Sequence, residues 1–251
     1  MLNKILDIFY NKTGICFTEK QDIVFQKIEN FSRNRNFSSF HTFLQEIEKG
    51  GELWQDLVNF LTVNETYFFR EYRQLELLVE FAAQKNRFSI LCLPCSSGEE
   101  VYTIAIMLEK LGLYGRIDKL IGIDINSVVV EKAISGSYGK KSFHKTSEDI
   151  KNRFFTEKDG HLEVKKEIKS KCQFYSDNIF DEKIFKYGKF DFVLSRNMLI
   201  YFDKNSRERA SSIFFDVLKD DGKLFLGHAD ILGGHSNLKK KLVNSVIYYE
   251  R

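Results

Sequence analysis

The sequence predicts an α/β protein: a Rossmann-like, mostly parallel sheet, preceded by a small all-helical domain and carrying an inserted small β subdomain. Three observations support this. From residue 88 onward, short apolar runs alternate with segments of helical period, as in βαβ units. Ile90-Leu91-Cys92-Leu93 runs into a tight turn, Pro94-Cys95-Ser96-Ser97-Gly98, that opens an amphipathic helix. About one crossover later Ile121-Gly122-Ile123 ends in Asp124, the arrangement with which a Rossmann-like sheet builds a nucleoside pocket. Before residue 62 no strand-like alternation occurs, and apolar residues recur at helical spacing.

The N-terminal region holds four apolar helical faces. Leu2, Ile5, Leu6, Ile8 and Phe9 form the first; Ile23, Val24, Ile28 and Phe31 the second. Phe40, Phe43, Leu44 and Ile47 form the third; Leu53, Leu57, Phe60 and Leu61 the fourth. A polar-aromatic segment, Asn64-Glu65-Thr66-Tyr67-Phe68-Phe69-Arg70, leads into a helix over about 70–84. Strands are expected near 88–93, 119–125, 172–176, 190–195 and 222–228, with a last, antiparallel one near 243–249. Helices are expected near 99–112, 126–136 and 205–219. The interval 136–171 is too long for an ordinary crossover. It contains a short helix over 147–154 and then Asp159-Gly160 between alternating segments, a hairpin signal. The expected division is a helical domain and linker over 1–70 and the α/β domain over 71–251, with the small β subdomain inserted at about 137–171.

Composition sets bounds. The chain has 251 residues, 43% hydrophobic and 14% aromatic with 24 Phe, enough for a sizeable core. A net charge of +3 is too mild to imply nucleic acid. No apolar run reaches membrane-spanning length and Met1-Leu2-Asn3-Lys4 lacks a signal-peptide pattern, so a cytoplasmic protein without membrane insertion is expected. Of the four cysteines, Cys92 and Cys95 form Cys-Leu-Pro-Cys, which superficially matches a redox pair. Glu99 and Glu100 nearby disfavour thiolate, and no second pair offers a metal site.

The turn before the first sheet helix has one glycine, no lysine and two glutamates. A diphosphate would be repelled there, although helix N-termini attract anions. The acids suit a cationic nucleoside such as S-adenosylmethionine, with its sulfonium and ammonium groups, and Asp124 is placed to take ribose hydroxyls. The same acids also fit capping boxes, Ser96 with Glu99 or Ser97 with Glu100; one can cap while the other faces ligand. Beyond the carboxyl end of the fourth core strand lie Arg196, Asn197 and Tyr201. Asp177-Asn178, after the third, approach the adenine side.

Six segments carry a resemblance. Asn-x-Thr-x-Phe-Phe-Arg, Cys-Ser-Ser-Gly-Glu-Glu-x-Tyr, Ile-Asp-Ile, Asn-Ile-Phe, Arg-Asn-x-Leu-Ile-Tyr-Phe-Asp and Gly-His-Ala-Asp occur in that order from Asn64 to Asp230. Together they resemble the motifs of the CheR family, the chemotaxis-receptor glutamate O-methyltransferases; the N-terminal region is similar only in kind. The resemblance implies methyl transfer from S-adenosylmethionine to glutamates on the cytoplasmic helices of methyl-accepting chemoreceptors, leaving S-adenosylhomocysteine. It implies cofactor contacts from Asn64, Thr66, Arg70, Glu99, Asp124, Asn178, Ile179, Arg196 and Asn197, and a transfer site lined by Arg70, Arg196 and Tyr201. Pro94 and Val101 depart from the family's usual residues and suggest a slightly altered loop.

Such a reaction needs neither metal nor general base, because a glutamate carboxylate is ionised near neutral pH and the sulfonium is already activated. Arg70 or Arg196 is expected to orient the acceptor through its second oxygen, and Tyr201 to hydrogen-bond there. The bland readings are a buried aromatic for Tyr201 and a salt bridge from Arg196 to Asp203 or Glu99. His228 is read as structural. Among the basic residues of the helical domain (Lys12, Lys20, Lys27, Arg33, Arg35), Lys27, Arg33 and Arg35 are a candidate receptor-docking surface. The Thr156–His161 loop looks too short for a strong receptor pentapeptide tether, and a monomer is expected. The alternative function is a non-catalytic S-adenosylmethionine-binding sensory or docking module. A nucleic-acid amino-methyltransferase is disfavoured because Ser195-Arg196-Asn197-Met198 lacks the proline-containing turn. A nicotinamide dehydrogenase is disfavoured by the missing Gly-x-Gly-x-x-Gly.

Overall fold

The computed structural model describes residues 2–17, 21–234 and 237–251; Met1 and Lys20 lie outside the described residues. Four helices form the N-terminal unit: α1 (Leu2–Thr13), α2 (Gln21–Asn34), α3 (Phe40–Lys49) and α4 (Glu52–Leu61). Ser39 starts α3 by accepting the Thr42 N–H at 3.1 Å, which satisfies one of the free amides of the first turn. Ile5, Phe9, Val24, Ile28, Phe31, Phe43, Leu44, Ile47, Leu57, Val58 and Leu61 close into one apolar core. Ile23 and Phe60, read as core-facing, are 55% and 45% exposed; they stand at the margins of their stripes.

After α5 (Tyr72–Ala83) the chain alternates: β1 (Phe88–Cys92), α6 (Glu99–Lys110), β2 (Ile117–Asp124) and α7 (Ser127–Ser135). An excursion follows, with β3 (Ser137–Tyr138), α8 (Glu148–Phe154), β4 (Phe155–Lys158), β5 (His161–Val164) and α9 (Lys166–Lys169). The main sheet resumes with β6 (Cys172–Ser176), β7 (Phe190–Ser195), α10 (Lys204–Val217) and β8 (Leu218–Leu226), and closes with β9 (Lys239–Val243) and β10 (Val246–Glu250).

The main sheet has the order β6-β2-β1-β7-β8-β10-β9. All pairings from β6 to β8 are parallel, and β10 is antiparallel to both β8 and β9. The chain leaves β1 towards β2 and leaves β7 towards β8, so the order reverses between β1 and β7. A crevice at such a reversal, outside the carboxyl ends, is where open α/β sheets bind ligands. β1 is buried throughout, as a strand covered on both faces must be. One sheet face packs on α5, α6 and the excursion; the other packs on α10 around Phe214 and Val217. The excursion forms its own three-stranded sheet, β3-β5-β4, and Asp159-Gly160 makes its two-residue turn with both residues at positive φ. Among the described residues, no helix is long and apolar enough to cross a membrane.

Strand expectations shift towards the C-terminus, where the last strand, expected near 243–249, is β10 at Val246–Glu250. β8 begins at Leu218 rather than 222, carrying a polar Lys-Asp-Asp stretch at its start. A separate edge strand, β9, pairs with β10 through Lys239, Lys240 and Lys241; it has no apolar alternation to announce it, and lysines on an edge strand oppose pairing with other chains.

Candidate active site

The β1–α6 turn is shaped by its backbone. Ser96 and Gly98 have positive φ, and a Cβ on Gly98 would lie 2.8 Å from the Ala133 Cβ, so only glycine fits where α6 begins. Gly98 is the N-cap and no side chain caps the helix; Ser97 Oγ donates to Glu99 Oε2 at 2.7 Å instead. Neither capping box expected from the sequence forms. The turn follows a cis Leu93–Pro94 bond. Cys92 and Cys95 are free and buried, and burial drives both thiols well above their ordinary range, with nearby acids adding to it. That opposes thiolate chemistry.

Outside the carboxyl ends of the strands lies a cleft that, with the solvent at its open mouth included, spans about 1140 Å³. Its wall brings together Asn64, Thr66 and Arg70 from the linker, Asp124 from β2, Asn178 and Ile179 from beyond β6, and Arg196, Asn197 and Tyr201 from beyond β7. Asp177 and Glu100 also line it, and the helical domain contributes Thr13, Ile15 and Phe17. Glu99 does not line it. It is 1% exposed and accepts from Ser97 Oγ and, at 2.9 Å, from Ser142 Oγ. The acid that reaches the cavity is its neighbour Glu100, because adjacent positions on a helix point about 100° apart.

Asp124 is held by the backbone. Its Oδ2 accepts the Ser96 N–H at 2.8 Å and its Oδ1 the Asn126 N–H at 2.9 Å. Burial raises its carboxyl to about 6, against the pull of these amides. Each oxygen retains a lone pair for a further donor. Glu100 is also raised by burial, with the Arg196 guanidinium opposing the shift. Asn178 donates to the Lys12 carbonyl and accepts the Phe180 N–H at 3.0 Å.

Arg196 is 6% exposed and sits among acids. Its Nη1 is 2.7 Å from Glu100 Oε2, its Nε 3.7 Å from Glu71 Oε2, and its Nη2 donates to the Arg70 carbonyl. The bridges to Asp203 or Glu99 considered from sequence do not form; Asp203 instead caps α10 and accepts from Tyr10 OH at 2.8 Å. Arg70 is less committed: its Nη1 donates to the Glu65 carbonyl at 2.6 Å, and the guanidinium lies 5.9 Å from the Tyr67 ring centre. His228, read as structural, stands at the surface beside an acid. Its side chain is 75% exposed and its Nδ1 lies 3.0 Å from Glu71 Oε2.

Asp230 holds the loop bearing Arg196, Asn197 and Tyr201. Its Oδ2 accepts the Asn197 N–H and, at 2.9 Å, the Gly227 N–H; its Oδ1 accepts the Ile200 N–H at 3.1 Å. A Cβ on Gly227 would lie 2.7 Å from the Asn197 nitrogen, so the two strand-end turns need glycine to meet. The helical domain is tied to this loop: Cys16 N–H donates to the Tyr201 carbonyl at 2.8 Å, and Ile15 bridges Phe202.

Residues 64–248 match the family model described as CheR methyltransferase, SAM binding domain, and residues 1–62 that described as CheR methyltransferase, all-alpha domain. The chain belongs to the CheR methyltransferase family. Over 252 residues it is 37% identical to a chemotaxis protein methyltransferase of Campylobacter jejuni, covering 100% of this chain and 95% of that one. It is 34% identical to chemotaxis protein methyltransferase 2 of Vibrio cholerae, covering 97% and 90%. With the chemotaxis protein methyltransferase of Salmonella typhimurium it shares 32%, covering 90% and 82%.

The cofactor of this CheR domain is S-adenosylmethionine. The cavity fits a cationic nucleoside. Glu65, Glu100, Asp124 and Asp177 on its wall outnumber Arg70 and Arg196, and Glu100 Oε1 is buried without a hydrogen-bond partner. Three features escaped the residue-level reading: Glu71 as a partner of Arg196, Asp230 as the clamp of the loop, and Ile15 and Phe17 as cavity wall. Glu71 adjoins Arg70 and Asp230 ends Gly-His-Ala-Asp, so position in a motif was their only signal; Ile15 and Phe17 gave none.

Proposed function

We propose that this CheR-family chain transfers a methyl group from S-adenosylmethionine to glutamate side chains on the cytoplasmic helices of chemoreceptors, forming methyl esters. The observation that carries the reading is the net-acidic wall at the sheet's switch point, suited to a cationic donor, with an arginine and a phenol at the same cavity. The relatives are named chemotaxis protein methyltransferases, and the resemblance to the CheR family motifs supplies chemoreceptor glutamates as the acceptors.

When bound, S-adenosylmethionine supplies an electrophilic methyl on a positively charged sulfur. Asp124 would hold its ribose hydroxyls, and Glu100 would offset its positive charge. Asn64, Thr66, Asn178, Ile179 and Asn197 complete the cofactor wall. Arg196 is occupied by Glu100 and Glu71, so its work is to hold the cavity's charges in place. Arg70, with one backbone contact, orients the acceptor through the carboxylate oxygen that does not attack. Among the described residues the Tyr201 hydroxyl has no hydrogen-bond partner; burial raises its phenol, so it stays protonated and donates to the acceptor. Alignment and exclusion of water then lower the barrier.

The chain works in the cytoplasm as a monomer, without nucleic acid and without membrane insertion. It binds no receptor pentapeptide strongly, because the β4–β5 turn is two residues long; micromolar calorimetric binding of such a peptide would overturn that. The main test incubates receptor membranes with tritiated-methyl S-adenosylmethionine. Wild type labels the receptor. Arg70→Ala lowers kcat roughly a hundredfold and leaves S-adenosylhomocysteine still bound, though more weakly. A wild type that binds S-adenosylhomocysteine yet leaves the receptor unlabelled means a binding module and refutes transfer.

A further inference from the structure

The cavity wall poses an electrostatic problem. It is net acidic, which suits the donor, but the acceptor arrives as a carboxylate and is repelled by the same acids. Positive charge outside the cofactor's reach must offset this. The turn between β3 and α8 carries such charge. Ser142 and Phe143 point inward and are buried, whereas Lys140, Lys141, His144 and Lys145 are exposed. Among the described residues none of the three lysines has an acid within ion-pair distance, and Glu148, the next acid along the chain, is paired with Lys151 at 2.7 Å.

This turn is fixed, and fixed beside the cavity. The Ser142 carbonyl accepts the Phe68 N–H at 3.0 Å, and Phe143 stacks on Phe68 with ring centres 4.9 Å apart. Buried Glu99 accepts from Ser142 Oγ, so the acid that does not face the cavity anchors the turn. The His144 ring lies 4.1 Å from that of Tyr67, a cavity-wall residue, and its Nδ1 is 3.0 Å from the Lys141 carbonyl. By contrast, the basic surface expected on the helical domain is partly neutralised. Arg35 pairs with Asp56 at 2.6 Å and lies over Phe31, and Arg33 faces Glu29 at 3.9 Å.

We propose that Lys140, Lys141 and Lys145, with the exposed His144 ring beside them, form an electropositive rim that docks an acidic polypeptide segment flanking the acceptor carboxylate. The proposal rests on the methyl-transfer reading and deepens it. Rim charges act mainly on association and are screened by salt.

The test compares two charge reversals of equal size in the full chain, with receptor membranes as substrate. Lys140→Glu/Lys141→Glu/Lys145→Glu alters the rim; Lys239→Glu/Lys240→Glu/Lys241→Glu alters β9 at the far sheet edge. The rim variant raises the receptor KM roughly tenfold, with kcat and S-adenosylhomocysteine affinity within about twofold of wild type. The β9 variant keeps the wild-type KM. Added salt raises the wild-type KM and leaves that of the rim variant nearly flat. If both variants behave alike, or the rim variant keeps the wild-type KM while wild type methylates, the rim assignment falls and the transfer reading stands. A wild type that methylates no receptor overturns both.

Discussion

Replacing Asp230 with Asn isolates the clamp beneath the Arg196–Tyr201 loop. The aspartate accepts three backbone N–H groups, from Asn197, Gly227 and Ile200. Asparagine keeps the size but has one oxygen. In its better orientation that oxygen still serves Asn197 and Gly227, and its NH2 is turned against the Ile200 N–H. One backbone donor loses its partner and two bonds lose charge assistance. An unmade buried donor costs about 1–3 kcal/mol. Ile200 is 39% exposed, so water can partly serve its amide, and about 2 kcal/mol is a reasonable middle value. If all of it is lost from the held geometry of the loop that carries Asn197 and Tyr201, kcat/KM falls by up to roughly thirtyfold. The assay is initial-rate methylation of receptor membranes, with S-adenosylhomocysteine calorimetry and a thermal melt alongside. Asp230→Ala, losing all three acceptors, falls further. If Asp230→Asn retains kcat/KM and cofactor affinity within twofold while folded, the clamp is not what positions this loop.

Three further outcomes follow from the charges. With the Asp124 carboxyl raised by burial to about 6, affinity for S-adenosylhomocysteine weakens as pH falls from about 7.5 to about 5, where the acid becomes neutral and ceases to accept as an anion; calorimetry of Asp124→Asn shows an at least tenfold weaker Kd with a shallower pH dependence. Glu100→Gln weakens binding of cationic S-adenosylmethionine more than that of S-adenosylhomocysteine, so the ratio of their dissociation constants rises several-fold in competition titrations. Asp191 has burial pushing its carboxyl up, but Lys219, the Ser89 N–H and Lys85 outweigh it and hold it low. Its contribution is present above the ordinary carboxylate range and is lost as pH falls through the lowered value; Asp191→Asn costs about 2 kcal/mol in urea unfolding near neutral pH, and the deficit shrinks in acid.

Much of the architecture was legible because periodicity reports burial. β1, β6 and β7 lie within a residue of their expected bounds, since their apolar runs are bounded by turn residues. β9 was illegible for the opposite reason: an exposed edge strand of lysines follows no inward-outward pattern. At the cavity, Asp124 was legible because a carboxylate at the end of the second strand has a fixed place in this fold. Which of Glu99 and Glu100 faces inward was not, because the left-handed Gly98 sets the first turn of α6, and one step along a helix turns a side chain to another neighbour. The pairing of Arg196 with Glu71 spans more than a hundred residues and leaves no local trace. The cavity contribution of Ile15 and Phe17 depends on how the two domains meet, which Gln55 to the Ile125 carbonyl at 2.8 Å and Asn126 to Thr62 Oγ1 at 2.8 Å help to fix.

The chemical bond made is the most direct measure of the account. Receptor labelled by the wild-type chain with tritiated-methyl S-adenosylmethionine is treated with mild alkali, and volatile radioactivity is collected. A carboxylate acceptor gives a methyl ester, so the label leaves as methanol. Label that survives alkali on the protein would mean a nitrogen acceptor and would contradict the reaction derived from this cavity.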